Sequence, residues 1–111
     1  MNKKKLGDQL SFDNSWKNRK EANYNHWTPS FPKNQIQFAF RCHWEVFQKI
    51  IKIKNKSQNK VLEVGCGRGS LSSYFAEIGS ECTLLDSSKA ALEKARLVFK
   101  NNGHKATFIK G

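Results

Sequence analysis

The chain carries two hydrophobic rhythms beyond residue 33 and neither before it. From Ile36, apolar residues recur at steps of three and four through Phe40, Trp44, Phe47 and Ile51. That spacing makes one face of a helix. Ala39, His43, Val46 and Ile50 widen the face, and Asn34 stands where a cap belongs, so a helix is expected from Asn34 to about Ile53. Lys54 to Lys60 contains no apolar residue and reads as a connector. Lys60 to Val64 is a short apolar run and is expected as a buried strand. From Ser70 to Ile78 the helical period returns, with Leu71, Tyr74, Phe75 and Ile78 on one face and Gly79 as its stop. Cys82 to Leu85 is a second strand. Ser87 or Ser88 caps a further helix to about Asn101, with Ala91, Leu92, Ala95, Val98 and Phe99 inward. Ala106 to Ile109 is a third strand.

The order is helix, β, α, β, α, β. Right-handed crossovers make such strands parallel neighbours in the order 3-2-1. The expected class is therefore α/β, the N-terminal half of a doubly wound, Rossmann-like parallel sheet with a preceding helix. Residues 34–111 form that domain, and residues 1–33 form a polar segment bearing isolated aromatics, Phe12, Trp16, Tyr24, Trp27 and Phe31. The first dozen residues are expected to fray. Pro29 and Pro32 make the stretch from Trp27 extended rather than helical. Its aromatics require a surface to pack on.

The candidate chemistry sits at the strand ends. Val61-Leu-Glu-Val-Gly-Cys-Gly-Arg-Gly69 ends a strand in an acid, Glu63, and then places glycine at 65, 67 and 69. Gly65 and Gly67 can take positive φ and leave the backbone bare toward a ligand, and Gly69 lets the helix start close to the sheet. Asp86 closes the second strand, where a carboxylate can accept hydrogen bonds from ribose hydroxyls and disfavours a phosphate. A dinucleotide loop, Gly-x-Gly-x-x-Gly, would need glycine at position 70, which is Ser70.

Glu-x-Gly-x-Gly-x-Gly resembles motif I of the class I S-adenosylmethionine-dependent methyltransferases, and Thr83-Leu-Leu-Asp86 resembles their motif II. The resemblance covers about residues 61–111. It implies S-adenosyl-L-methionine as cofactor and methyl transfer as activity, and a small-molecule acceptor is expected. It implies that Gly65, Cys66, Gly67 and Gly69 line the methionine and ribose portion. Asp86 would hold the ribose hydroxyls, Ser87 would lie near the adenine edge, and Glu63 would support the loop. It also implies a longer domain than this chain holds, so the chain is expected as a fragment, a truncated gene product, or a module whose exposed, apolar first-strand edge is covered by another copy or a partner chain.

Composition narrows the rest. Across 111 residues 38% are hydrophobic, enough for a core, and no apolar run spans a bilayer. With no secretory signal and with Cys42, Cys66 and Cys82 lacking metal-ligand spacing, reduced thiols in a cytoplasmic protein are expected. The net charge of +11 is uneven: residues 1–60 hold 13 Lys/Arg against 4 Asp/Glu. A basic half admits an RNA-acting methyltransferase as an alternative, although 16 lysines against 4 arginines read more as coding bias than as a recognition surface. A non-catalytic binding module is the other alternative. Cys66 is expected to pack rather than attack, Arg68 to face solvent, and His43 to pack. Arg41 either meets the cofactor's carboxylate, as the resemblance allows, or lies on a solvated face. Tyr24 and Trp27 either cap a cofactor or substrate or pack against the sheet.

Overall fold

The computed structural model describes residues 11, 13–18, 26–51 and 59–111. Its elements are α1 (Gln35–Ile51), β1 (Lys60–Val64), α2 (Ser70–Glu77), β2 (Glu81–Asp86), α3 (Lys89–Asn101) and β3 (Ala106–Lys110). Residues 13–18 are also helical. The expected positions of Phe12, Tyr24 and Ile53, the fraying of the first residues and most of the 54–60 connector lie outside the described residues.

The three strands are parallel with β2 in the middle, as the crossover rule required. Cys82 and Leu84 of β2 point into one core with Tyr74 and Phe75 of α2 and Leu92, Ala95 and Phe99 of α3. Val61 and Phe108 flank it from the outer strands, and Phe108 meets Phe99 edge-on at 5.6 Å. Both crossover helices thus cover the same face of the sheet. The register pairs Leu62 with Thr83 and Val64 with Leu85 on the opposite face. There Leu62 is 62% and Val64 70% exposed. The expectation that Lys60 to Val64 is a buried strand is therefore corrected. It pairs on one side only among the described residues, and its apolar residues alternate between a covered and a bare face.

Helix α1 begins with reciprocal capping. Asn34 Oδ1 accepts from the Gln37 N–H at 2.9 Å, and Gln37 Oε1 accepts from the Lys33 N–H at 2.8 Å. Its contact with the domain is an aromatic ridge. Trp44 stacks on Tyr74 at 5.2 Å and meets Phe75 edge-on at 4.8 Å. The wide apolar face expected on this helix is not buried, since Ile36, Val46, Phe47 and Ile50 are exposed. Length explains the difference. Helix α2 has 8 residues and α1 has 17, so at ~1.5 Å per residue the shorter helix underlies less than half of the longer one.

The segment before α1 is lashed down from both sides. Arg41 Nη2 donates to the carbonyls of Thr28 at 3.0 Å and Ser30 at 3.1 Å. Trp27, 2% exposed, lies edge-on to Tyr74 and close to His104. Arg41 is thus spent on backbone carbonyls, and Trp27 belongs to the core. His26 stacks on Phe40 at 4.4 Å, with His43 alongside, whereas Phe31 is 90% exposed.

Gly69 sets how close α2 comes to the sheet. It is the N-cap residue with φ 73°, and a Cβ there would stand 2.5 Å from Leu84 Cδ2 and 3.2 Å from Phe99 Cε1. Gly103 has a similar φ of 71° with no described atom within 4 Å of such a Cβ. Gly69→Ala should destabilise the fold by about 2–4 kcal/mol and Gly103→Ala by about 1 kcal/mol, because only the first adds overpacking to backbone strain. Urea unfolding of the two variants checks this, and equal losses would contradict the close-approach argument.

Candidate cofactor-binding site

The carboxyl ends of β1 and β2 are joined by hydrogen bonds from the glycine loop. The N–H groups of Gly65 and Cys66 both donate to the Leu85 carbonyl, at 2.8 and 3.1 Å. The Gly67 N–H donates to Asp86 Oδ2 at 2.9 Å, and the Ser88 N–H donates to Asp86 Oδ1 at 2.8 Å. The Gly69 N–H returns to the Cys66 carbonyl at 2.8 Å, closing the turn into α2. Each Asp86 oxygen keeps a lone pair beyond these bonds. A Cβ built on Gly65 would meet no described atom within 4 Å, so the first bend of the loop borders open space. A ligand laid across these strand ends would find bare backbone at Gly65 and acceptor capacity at Asp86.

Glu63 works on the other side of the loop. Gly69 offers α2 no side-chain cap. Glu63 supplies one from β1, its Oε1 accepting from both the N–H and Oγ–H of Ser72, at 3.1 and 2.6 Å. Burial pushes the Glu63 carboxyl above its usual range, and the bonds from Ser72 oppose that shift.

Of the residues singled out in the sequence, Glu63, Gly65, Cys66, Gly67, Gly69 and Asp86 converge at these strand ends, and Ser87 follows them on the exposed surface. Cys66 is buried, with its thiol pushed up to about 12 by burial and by the neighbouring Asp86 and Glu63 carboxylates. Arg68 corrects an expectation. It is 6% exposed rather than solvent-facing, because the turn aims it into a groove of about 500 Å³ shared with Trp27, Thr28 and Lys94.

Asp13 and Trp16 had no local sequence signal for this site, and Ser88 had only part of one. Asp13 Oδ1 accepts from Ser88 Oγ–H at 2.8 Å and from the Ala90 N–H at 3.1 Å. Ser88 also caps α3 by accepting from the Ala91 N–H at 3.2 Å, and it was legible only in that capping role. Trp16 lies on Gly67: a Cβ there would be 2.6 Å from its Cζ2. Among the described residues no group of His, Cys, Asp and Glu could hold a metal ion.

The thiols offer a direct check of this packing. Cys42 is exposed while Cys66 and Cys82 are buried, the Cys82 thiol being raised to about 11. At pH 8 iodoacetamide should modify Cys42 in the native protein and spare the other two, which should react only after unfolding. Rapid modification of Cys66 in the native state, read by peptide mass mapping, would contradict the burial of the loop.

Comparison with known proteins places this arrangement. Residues 61–111 match the model of a methyltransferase domain. Over 51 residues the chain is 49% identical to a ubiquinone biosynthesis O-methyltransferase of Proteus mirabilis, covering 46% of this chain and 21% of that protein. It is 47% identical over 51 residues to the ribosomal RNA small subunit methyltransferase C of Buchnera aphidicola, covering 44% and 16%. The chain thus spans about a fifth of the length of the curated relatives it matches. Among solved structures, the PH0226 protein of Pyrococcus horikoshii is 25% identical with a TM-score of 0.58, over 84% of this chain and 40% of that one. The magnesium protoporphyrin IX methyltransferase of Synechocystis, solved with S-adenosylmethionine bound, shares the fold at 18% identity and a TM-score of 0.60, over 94% and 54%. Residues 61–111, with the glycine loop and its two strand-end acids, are thus similar to the methyltransferase domains of these proteins.

Proposed function

We propose that the chain holds S-adenosyl-L-methionine across the carboxyl ends of β1 and β2, and that the protein it represents transfers the activated methyl to a small-molecule acceptor. The observation that carries this is the position of Asp86, hydrogen-bonded to Gly67 beside the open face of Gly65. In this reading residues 34–111 are the cofactor-binding part and residues 1–33 a preceding segment. The fit rests on chemistry the chain presents. Asp86 accepts the ribose hydroxyls, and its charge repels a ribose phosphate. Gly65, Cys66, Gly67 and Gly69 present backbone to the ribose and methionine portion, with Ser87 near the adenine edge. Glu63 holds the loop through α2. The cofactor, when bound, supplies the reactive methyl on a sulfonium; the protein's share is orientation and exclusion of water.

The small-molecule acceptor is supported by relatives named for quinone and porphyrin methylation. One observation favours an RNA acceptor instead: the excess of 13 Lys/Arg over 4 Asp/Glu in residues 1–60, together with the ribosomal RNA relative. RNA binding that weakens steeply with salt would support that second reading. No described helix is long and apolar enough to cross a membrane.

Isothermal titration with S-adenosylhomocysteine tests the cofactor site. The chain should bind it. Asp86→Ala should weaken binding about tenfold or more, the worth of a lost charge-assisted hydrogen bond. Unchanged affinity in that variant would overturn the role given to Asp86.

A further inference from the structure

The N-terminal helical segment reaches the cofactor crevice at two points. Residues 13–18 are helical, and Asp13 and Trp16 carry their described contacts to the domain. The first contact is Asp13, which accepts from Ser88 Oγ–H and the Ala90 N–H just beyond β2. The second is Trp16, whose indole carbons Cζ2 and Cη2 would stand 2.6 and 2.8 Å from a Cβ on Gly67. Trp16 therefore fills the space that the missing side chain of Gly67 leaves.

Resting on the cofactor reading above, we propose that residues 13–18 form a strap that occupies the ligand face of Gly67 in the free protein, so that Trp16 and the cofactor compete for one space. The strap is built to release. Its ion pair, Lys17 Nζ to Asp13 Oδ2 at 3.2 Å, lies at the surface, where such pairs contribute little. Its described carboxylate anchor, Asp13, is held down at about pKa 2 by the hydrogen bonds from Ser88 and Ala90 and by Lys17. Ser88 couples strap to site, because its N–H donates to Asp86 while its hydroxyl donates to Asp13.

Two readings on the full chain test this. First, S-adenosylhomocysteine titrations of the wild-type protein, Trp16→Ala and Asp13→Asn should show both variants binding about five- to tenfold more tightly. Second, amide hydrogen exchange should show faster exchange at residues 88–91 in ligand-free Asp13→Asn, and faster exchange at residues 13–18 of the wild type when S-adenosylhomocysteine is added. Equal or weaker binding by Trp16→Ala, slower exchange of residues 13–18 with ligand, or unchanged exchange at residues 88–91 would each overturn the strap while leaving the cofactor reading intact. Binding by none of the three proteins, with circular dichroism unchanged, would overturn the cofactor reading and the strap with it.

Discussion

One carboxylate ties the working end of this domain together. Asp86 accepts from the Gly67 N–H on one oxygen and from the Ser88 N–H on the other. The first bond pulls the loop after β1 across to the end of β2. The second sets the start of α3, since Ser88 is its N-cap. Two segments that are far apart in sequence thus take their positions from a single side chain that is 9% exposed. Charge-assisted bonds of this kind are about twice as strong as neutral ones, and the backbone groups they satisfy would otherwise be costly to bury. The crevice exists because this bond holds its two walls in register.

The remaining acids extend the same logic. Gly69 must be glycine to let α2 approach Leu84, and so it cannot cap the helix it begins. Glu63 supplies that cap from the neighbouring strand. Asp13 adds a second acceptor to the first turn of α3, beside the Ser88 hydroxyl. Each buried start of a crossover helix is therefore satisfied by an acid from another element. Away from this polar end, the fold rests on aromatic packing, with Trp44 and Trp27 against Tyr74 and Phe99 against Phe108.

What was legible in the sequence was what has a short period. The strand and helix order, the parallel sheet, the Asn34 cap and the convergence of Glu63, the glycines and Asp86 all follow from local spacing and one chirality rule. What was not legible depends on distant partners. The apolar face of α1 has a clear helical period, yet most of it is bare, because its neighbour α2 is short. Lys60 to Val64 looked buried because apolarity reports composition rather than which face a helix covers. Arg68 was read as solvated and Arg41 as either solvated or aimed at the cofactor's carboxylate, whereas the first is turned into a groove and the second ends on the carbonyls of Thr28 and Ser30. Asp13 and Ser88 are 75 positions apart, and no periodicity links them.

The central claim is that the crevice bounded by Gly65, Gly67 and Asp86 is the seat of the nucleoside cofactor. A crystal structure of the chain with S-adenosylhomocysteine tests it most directly. The ribose hydroxyls are predicted to lie within hydrogen-bond distance of the Asp86 carboxylate, with the ligand against Gly65 and Gly67 and Trp16 displaced from the loop. A nucleoside seated elsewhere, such as the groove lined by Trp27, Arg68 and Lys94, with Asp86 left to its backbone partners alone, would contradict the account.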